Sequence, residues 1–344
     1  MFFRLWTRAP LIFMESFKGG FFYYKVLPGI LNDTLIRRAL GRWYDLHKRS
    51  LPWRETSNPY AIWISEIMLQ QTRVAAVIPY YQRFLKRFPS PARLAAAPEE
   101  EVLTLWSGLG YYSRARNLQK AARQIVDRGS FPRTYDEIRE LAGIGDYTAS
   151  AVASIAFGLP HAVVDGNVRR VVARITNGEA DTQTIVDLLL DRKNPSRSNQ
   201  ALMELGAVVC IPRDPHCAEC PIARHCMAQK LGTQNDLPGK KKKPATIHLK
   251  RKLLVIHHRD RILLAPSPRV KGFWDLPEPF EGARIGAMLG EFRHAITHHN
   301  YRFTVHEAIA HATPEGFRWF ERKEIDEIPL STTAKKGLRC SIEV

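Results

Sequence analysis

The chain has 344 residues, 45% of them hydrophobic, and a net charge of +17. That length suits two domains and the apolar content suits packed cores, which excludes a disordered chain. No apolar run reaches the roughly 18 residues of a membrane span, so no membrane partner is expected.

The basic excess is spread out, with 31 basic against 21 acidic residues before residue 231 and 20 against 13 from there on. A polyanion contacted along its length fits this better than one basic tail. Residues 1–30 are aromatic and basic, with no continuous apolar core and no small-residue cleavage site, so they read as an extension of unassigned role and not as a signal peptide. Helical periodicity dominates residues 31–228, in LIRRALGRWYDLH, YAIWISEIMLQQ, VAAVIPYYQRFLKRF, EEEVLTLWSGL, ARNLQKAARQIV and NQALMELGAVV. Residues 229–246 carry Gly, Pro and four consecutive lysines and read as a basic linker. Beyond it HLKRKLLVIHH, RILLAPSP, YRFTVHEAIA and GFRWFE read as strands, GFWDLPEPF as a turn-rich segment, and EIDEIPLSTTAKKGL as short helices. The expected class is therefore an all-α domain followed by a small α+β domain.

Three features carry chemistry. Residues 141–149, LAGIGDYTA, lie between TYDEIREL, which opens with the capping box Thr134 and Glu137, and ASAVASIAF, a helix of small residues that lets a neighbouring backbone pack close. Gly143 and Gly145 permit positive φ and leave N–H groups bare, which suits a phosphate as well as a structural helix–turn–helix. Glu66 lies among Trp63, Ile67 and Leu69, where desolvation would raise its pKa as a general acid requires, although a lone glutamate is more often a salt-bridge partner. Asp165, between an apolar run and a helix, reads as an N-cap or as a carboxylate kept ionised by the helix dipole. One raised and one lowered carboxyl is the division of labour that breaks a glycosidic bond. Cys210, Cys217, Cys220 and Cys226 form C-x6-C-x2-C-x5-C, within 17 residues. Four such thiolates can wrap structural zinc or a [4Fe–4S] cluster, and the spacing does not separate the two. Clustered cysteines also point to a reducing compartment, and a cytoplasmic protein is expected.

LAGIGDYTA, VVDGNVRR and the four cysteines, in this order and spacing, resemble the helix-hairpin-helix DNA glycosylases that carry an iron–sulfur cluster. SLPWR, SEIMLQQTRV and GLGYYSRARNL narrow the resemblance to the adenine DNA glycosylase (MutY) family, over about residues 35–228 and more loosely 247–338. The resemblance implies a helix-hairpin-helix glycosylase domain at 31–228, with a six-helix module at about 51–159 and an iron–sulfur module made of 31–50 and 160–228. A shortened Nudix-like lesion-recognition domain would follow at 247–344. It implies a monomeric enzyme that binds double-stranded DNA with adenine opposite 8-oxoguanine or guanine and hydrolyses the adenine N-glycosidic bond. Glu66 would protonate the departing base and later help activate water. Asp165 would stabilise the sugar cation, and Tyr147 and Asn167 would orient that site. Relatives with lyase activity, such as endonuclease III, carry an amine nucleophile where this chain has Tyr147, so a monofunctional enzyme is implied and a lyase acting on pyrimidine lesions is disfavoured. A non-catalytic iron–sulfur DNA-binding protein would need neither carboxylate.

The resemblance further places Arg49, Trp53 and Arg54 at the base pocket, with core packing an equal reading of Trp53. Leu69 and Gln71 fall near the flipped base and the emptied stack, Tyr111 beside the opposite base, and Gly143 and Gly145 on a DNA phosphate. The four cysteines become [4Fe–4S] ligands. In the C-terminal part the acid-rich box of Nudix hydrolases is absent. The segment HAITHHN sets Ile296, Thr297 and His298 at the lesion-reading loop, with isoleucine where relatives carry an aromatic, and the stretch from Pro277 to Phe292 is short. Five histidines between 294 and 311 read as ordinary buried or surface residues.

Overall fold

The computed structural model describes residues 33–178, 180–239, 245–296 and 298–341. The extension at 1–30, the four lysines of the linker and Thr297 lie outside the described residues. The helical part runs α1 (Asp33–His47), a 3-10 turn (Pro52–Arg54), α2 (Pro59–Leu69), α3 (Val74–Arg87), α4 (Pro91–Ala96), α5 (Glu99–Trp106), α6 (Ser113–Asp127), α7 (Tyr135–Arg139), α8 (Asp146–Phe157), α9 (Gly166–Ile175), α10 (Thr182–Leu189), α11 (Pro195–Val208) and α12 (Met227–Leu231). The C-terminal part runs β1 (Ile247–His258), β2 (Arg261–Pro266), β3 (Trp274–Asp275), β4 (Ala283–Ile296), β5 (His299–Ala310), β6 (Arg318–Glu321) and α13 (Thr332–Cys340).

Local sequence explains where the central helices begin and why they are buried. Asn58 accepts from the N–H groups of Tyr60 and Ala61 and Pro59 takes the first helical position, so α2 starts cleanly. From Tyr60 to Met68 every residue of α2 is buried, as a helix apolar on all sides must be. The expected capping box is present on α7, with Thr134 and Glu137 bonded reciprocally. Gly145 is the N-cap of α8, and the seven residues Thr148–Ser154 behind it are all buried, which brings α8 against α2. Gly143 has φ +76, and a Cβ there would lie 2.6 Å from Asn117, so only glycine makes this turn without displacement.

Two buried clusters divide the helical part. One gathers Trp63, Phe84, Trp106 and Val152 from α2–α8. The other joins Ile36 and Trp43 of α1 to Val172, Ile185 and Leu202 of α9–α11, so the start of the described chain closes over its later helices. The C-terminal sheet has the order β3-β2-β1-β5-β4, with β6 pairing β2. β1 and β5 are parallel and the remaining pairs antiparallel. The strands expected at β1, β2, β5 and β6 form, and GFWDLPEPF contributes the short β3. The long strand β4 escapes the sequence reading because Gly286 and Gly290 interrupt its alternation and most of its first half is exposed. The short helices α4, α10 and α12 were likewise unforeseen.

The sheet part is keyed into the helical part. Phe273 is 2% exposed within the α2–α8 core, its ring centroid 4.1 Å from that of Tyr112. The Ser107 hydroxyl donates to the Leu330 carbonyl at 2.8 Å, and Arg116 donates to that of Lys271.

Candidate active site

A pocket of about 190 Å³ opens between the two helical clusters. α2 supplies Glu66 and Leu69, α8 supplies Tyr147, the start of α9 supplies Asp165 and Asn167, the 3-10 turn supplies Trp53 and Arg54, and α11 supplies Glu204. Arg49 lies on the same wall. Eight residues singled out in the sequence thus meet at one place: Glu66, Tyr147, Asp165, Asn167, Arg49, Trp53, Arg54 and Leu69.

Glu66 is 5% exposed and accepts a 2.6 Å hydrogen bond from the Tyr147 hydroxyl. Burial pushes its carboxyl up to about 7. The Tyr147 bond opposes that push and the nearby Asp165 charge adds to it. Burial and Glu66 hold the Tyr147 phenol well above its ordinary value, so it remains a donor. Asp165 is the N-cap of α9: Oδ1 accepts from Val168 N at 2.6 Å and Oδ2 from the Asn167 side-chain amide at 3.0 Å. The carboxyl expected to be lowered is instead raised. Desolvation outweighs the bonds from Val168 and Asn167 that favour its charge, and the large rise belongs to Glu66 alone. Asn167 is fixed by Arg170, whose Nη2 donates to its Oδ1 at 2.8 Å and to the Gly206 carbonyl at 2.7 Å, and whose Nε donates to the Cys210 carbonyl at 2.8 Å. Gly206 lets α11 approach, since a Cβ there would lie 2.7 Å from that of Asn167.

Glu204 was not foreseen as a pocket residue. Its side chain is 1% exposed and accepts from Arg49 Nε at 2.7 Å, Arg49 Nη2 at 2.8 Å and Arg54 Nη2 at 2.7 Å. Burial alone would raise its pKa, but the two guanidinium groups overcome it and bring the carboxyl down to about 2. The signal in the sequence was its register: Glu204 falls between Ala201 and Leu205 on the buried stripe of α11. Trp53 is both wall and core, 7% exposed and edge-on to Tyr81 at 5.4 Å.

The other sequence-predicted residues stand outside this pocket. Gln71 and Tyr111 are exposed, both with left-handed backbone, at φ 56 and φ 48. Gly143 and Gly145 are exposed at the turn into α8. Its first residue, Asp146, is ion-paired with Arg139 and accepts from the Tyr135 hydroxyl at 3.2 Å. Ile296 ends β4 and His298 is exposed just before β5, both far in sequence from the pocket. Cys210, Cys217, Cys220 and Cys226 line one cavity with Arg174, Gln229 and Gln234.

A model of the HhH-GPD superfamily of base excision DNA repair proteins matches residues 64–195. The adenine DNA glycosylase of Mus musculus is 45% identical over 240 residues, covering 63% of this chain and 47% of that protein. The adenine DNA glycosylase of Buchnera aphidicola subsp. Baizongia pistaciae (strain Bp) is 39% identical over 255 residues, covering 71% of this chain and 72% of that protein. The chain belongs to the adenine DNA glycosylase family. It spans about half the length of the mammalian family members it matches. Among solved structures, a thermostable thymine-DNA glycosylase matches with a TM-score of 0.55 and 28% identity, over 58% of this chain and 97% of that one. Endonuclease III in a non-covalent DNA complex matches with a TM-score of 0.52 and 26% identity, over 59% and 99%. Both likenesses cover somewhat more than half of this family member, consistent with the helical part alone.

The buried acid has a consequence for stability. Folding lifts the Glu66 pKa from 4.5 to about 7, so the unfolded chain releases this proton first as pH rises. The cost to the fold therefore grows between those two values and is complete above them, at about 3 kcal/mol. Glu66→Gln should stabilise the chain by up to that amount at pH 8 and by nothing at pH 4, read from urea unfolding at the two pH values. Equal effects at both would mean that the carboxyl titrates normally in the folded state.

Proposed function

We propose that this chain is a monofunctional adenine DNA glycosylase, which hydrolyses the N-glycosidic bond of adenine paired with 8-oxoguanine or guanine in duplex DNA. The observation that carries the reading is the pairing of a carboxyl held protonated near neutrality, Glu66, with a capped carboxylate, Asp165, in one pocket. Glu66 gives its proton to the departing adenine at N7, which turns a poor leaving group into a neutral one. Tyr147 donates to one Glu66 oxygen and leaves the other to carry the proton. Asp165 faces the positive charge that develops on the sugar and stabilises it by charge or through a covalent adduct, while Asn167 holds its orientation. Glu66, once deprotonated, takes a proton from the attacking water. Arg49 and Arg54 line the base pocket, where the shared Glu204 carboxylate offsets one of their two positive charges. Family membership, the DNA-complexed endonuclease III of like fold and the basic charge of both parts of the chain support duplex DNA as the partner. Gly143 and Gly145 would present bare N–H groups to a phosphate, and Leu69 and Gln71 would stand near the flipped base and the space it leaves in the stack. Tyr111 would stand beside the opposite base, and the sheet part, through Ile296, Thr297 and His298, would read 8-oxoguanine as a Nudix-like domain does.

We also propose that the four cysteines hold a [4Fe–4S] cluster. All four line one cavity, where burial raises the Cys217 and Cys226 thiols and pushes that of Cys220 up to about 12, so thiolates there need a cationic partner. Gln234 Oε1, on the same cavity, is buried without a hydrogen-bond partner. The cluster's contribution would be structural, closing the loop that carries Arg213 and Arg224.

Single-turnover cleavage of duplexes with adenine opposite 8-oxoguanine, guanine or cytosine tests the main reading. The first two should be cleaved. Glu66→Gln and Asp165→Asn should each lower the rate by about 100-fold or more while duplex binding persists. With Glu66 as the acid, the rate should fall about tenfold per pH step above roughly 7. Near-normal excision by either variant would remove the role assigned to that residue. Borohydride should trap no stoichiometric protein–DNA adduct, because a phenol cannot form an imine; efficient trapping would make the enzyme a lyase. The purified protein should be brown with absorbance near ~400 nm, and a colourless protein with bound zinc would replace the cluster by a single d¹⁰ ion.

A further inference from the structure

The end of α2 leaves carbonyl groups without partners inside the helix. The chain then passes through Gln71 at φ 56, a left-handed conformation that disfavours any residue with a side chain. A second turn, after α5, runs through Gly108, Gly110 and Tyr111, the last at φ 48 and half exposed. Two turns far apart in sequence thus present strained, exposed side chains, and neither side chain lines the pocket that holds Glu66.

One guanidinium joins them. Arg114 Nη1 donates to the carbonyls of Ile67 and Gln70, each at 2.7 Å, and to that of Met68 at 3.3 Å. Its Nη2 donates to the carbonyls of Leu109 at 3.2 Å and Gly110 at 3.1 Å. The same group lies 5.4 Å from the Trp106 ring and 5.5 Å from the Tyr111 ring, and Trp106 Nε1 donates to the Gly110 carbonyl. Among the described residues no carboxylate pairs with Arg114, and its Nε is buried without a partner. Its hydrogen bonds go to backbone carbonyls of the two turns and of the last turn of α2. A cation there also complements the helix dipole.

We propose that Arg114 is a positioning residue that locks the Gln71 and Tyr111 turns into one unit, so that both side chains enter a duplex together while α2 keeps Glu66 in place. The inference rests on the base-flipping reading above. A planar fork with five carbonyl contacts fixes relative position in a way that a point donor such as lysine does not. Loss of the fork leaves each turn free to relax separately, and one side chain then gains little from the other.

A double-mutant cycle tests this, with single-turnover excision from adenine·8-oxoguanine duplex and the fluorescence of 2-aminopurine in the adenine position as readouts. Arg114→Met should lower excision by roughly tenfold or more and reduce the unstacking signal, while affinity for an undamaged duplex changes by less than about twofold. Tyr111→Ala and Gln71→Ala should each lower excision in the unaltered background. Either one should add less than about half of its logarithmic effect in the Arg114→Met background, because coupled residues are not additive. Arg114→Lys should fall between the two and carries the same cycle if Arg114→Met does not fold. Additive effects in a chain that excises adenine normally would overturn the positioning role alone. No excision by the unaltered chain would overturn the proposed function and this inference with it.

Discussion

The contact between Glu66 and Tyr147 sets the terms for the rest of the helical part. A carboxyl that is 5% exposed costs several kcal/mol to ionise unless it is paired or hydrogen-bonded. Here it has one neutral hydroxyl at 2.6 Å, delivered from a different helix. That bond forms where α8 packs against α2. Thr148, Ala149, Ser150, Ala151, Val152, Ala153 and Ser154 make the approach possible, since none carries a long side chain. The glycine turn sets the direction of α8: with Gly145 as its N-cap, Tyr147 lies in the first turn and reaches Glu66. The exposed glycine turn and the buried acid are two ends of the same packed helix pair.

Three carboxyls share the pocket, and their surroundings send them to different charge states. Glu66 accepts from a phenol, and burial pushes its carboxyl up to about 7, so it titrates near neutrality. Asp165 meets an N–H at a helix start and an amide, which partly offset its burial. Glu204 meets two guanidinium groups and is ionised down to about pH 2. The third of these matters for the first, because Arg54 favours the ionised form of Glu66 and the Glu204 carboxylate offsets part of that positive charge. Arg170 extends the arrangement: through Asn167 on one side and the Cys210 carbonyl on the other, it connects the Asp165 site to the start of the cysteine loop. The position of the cysteine loop therefore bears on the orientation of Asn167, two residues from the carboxylate.

The docking of the sheet part repeats this economy of contact. Phe273 enters the helical core beside Tyr112, whose neighbour is Tyr111. The helical part that bears the exposed Tyr111 ring and the sheet part that carries Ile296 and His298 are thus joined by the Phe273–Tyr112 contact and by the Ser107–Leu330 and Arg116–Lys271 hydrogen bonds.

Much of this was legible in the chain before any coordinates. Apolar periodicity marked the main helices, because a 3.6-residue repeat of buried positions needs no partner to be recognised. The capping box at Thr134, the N-cap at Asp165, the glycine turn and the four spaced cysteines are all local devices, and local devices are written in contiguous residues. Glu66 stood out because its helix is otherwise apolar. What only the tertiary structure decided involves partners distant in sequence. Glu204 lies 150 residues from Arg54, and nothing near either residue announces the other. The pKa of Asp165 depends on how much water its neighbours exclude, which reversed the direction expected from its helix position alone. β4 forms because β5 offers it an edge, in spite of two glycines. Arg114 reads as one more cation on an amphipathic helix until the fold brings five carbonyls from two turns around it. Sequence determines propensities and local bonds; burial and long-range pairing are properties of the packed chain, and they decided which of those residues form the site.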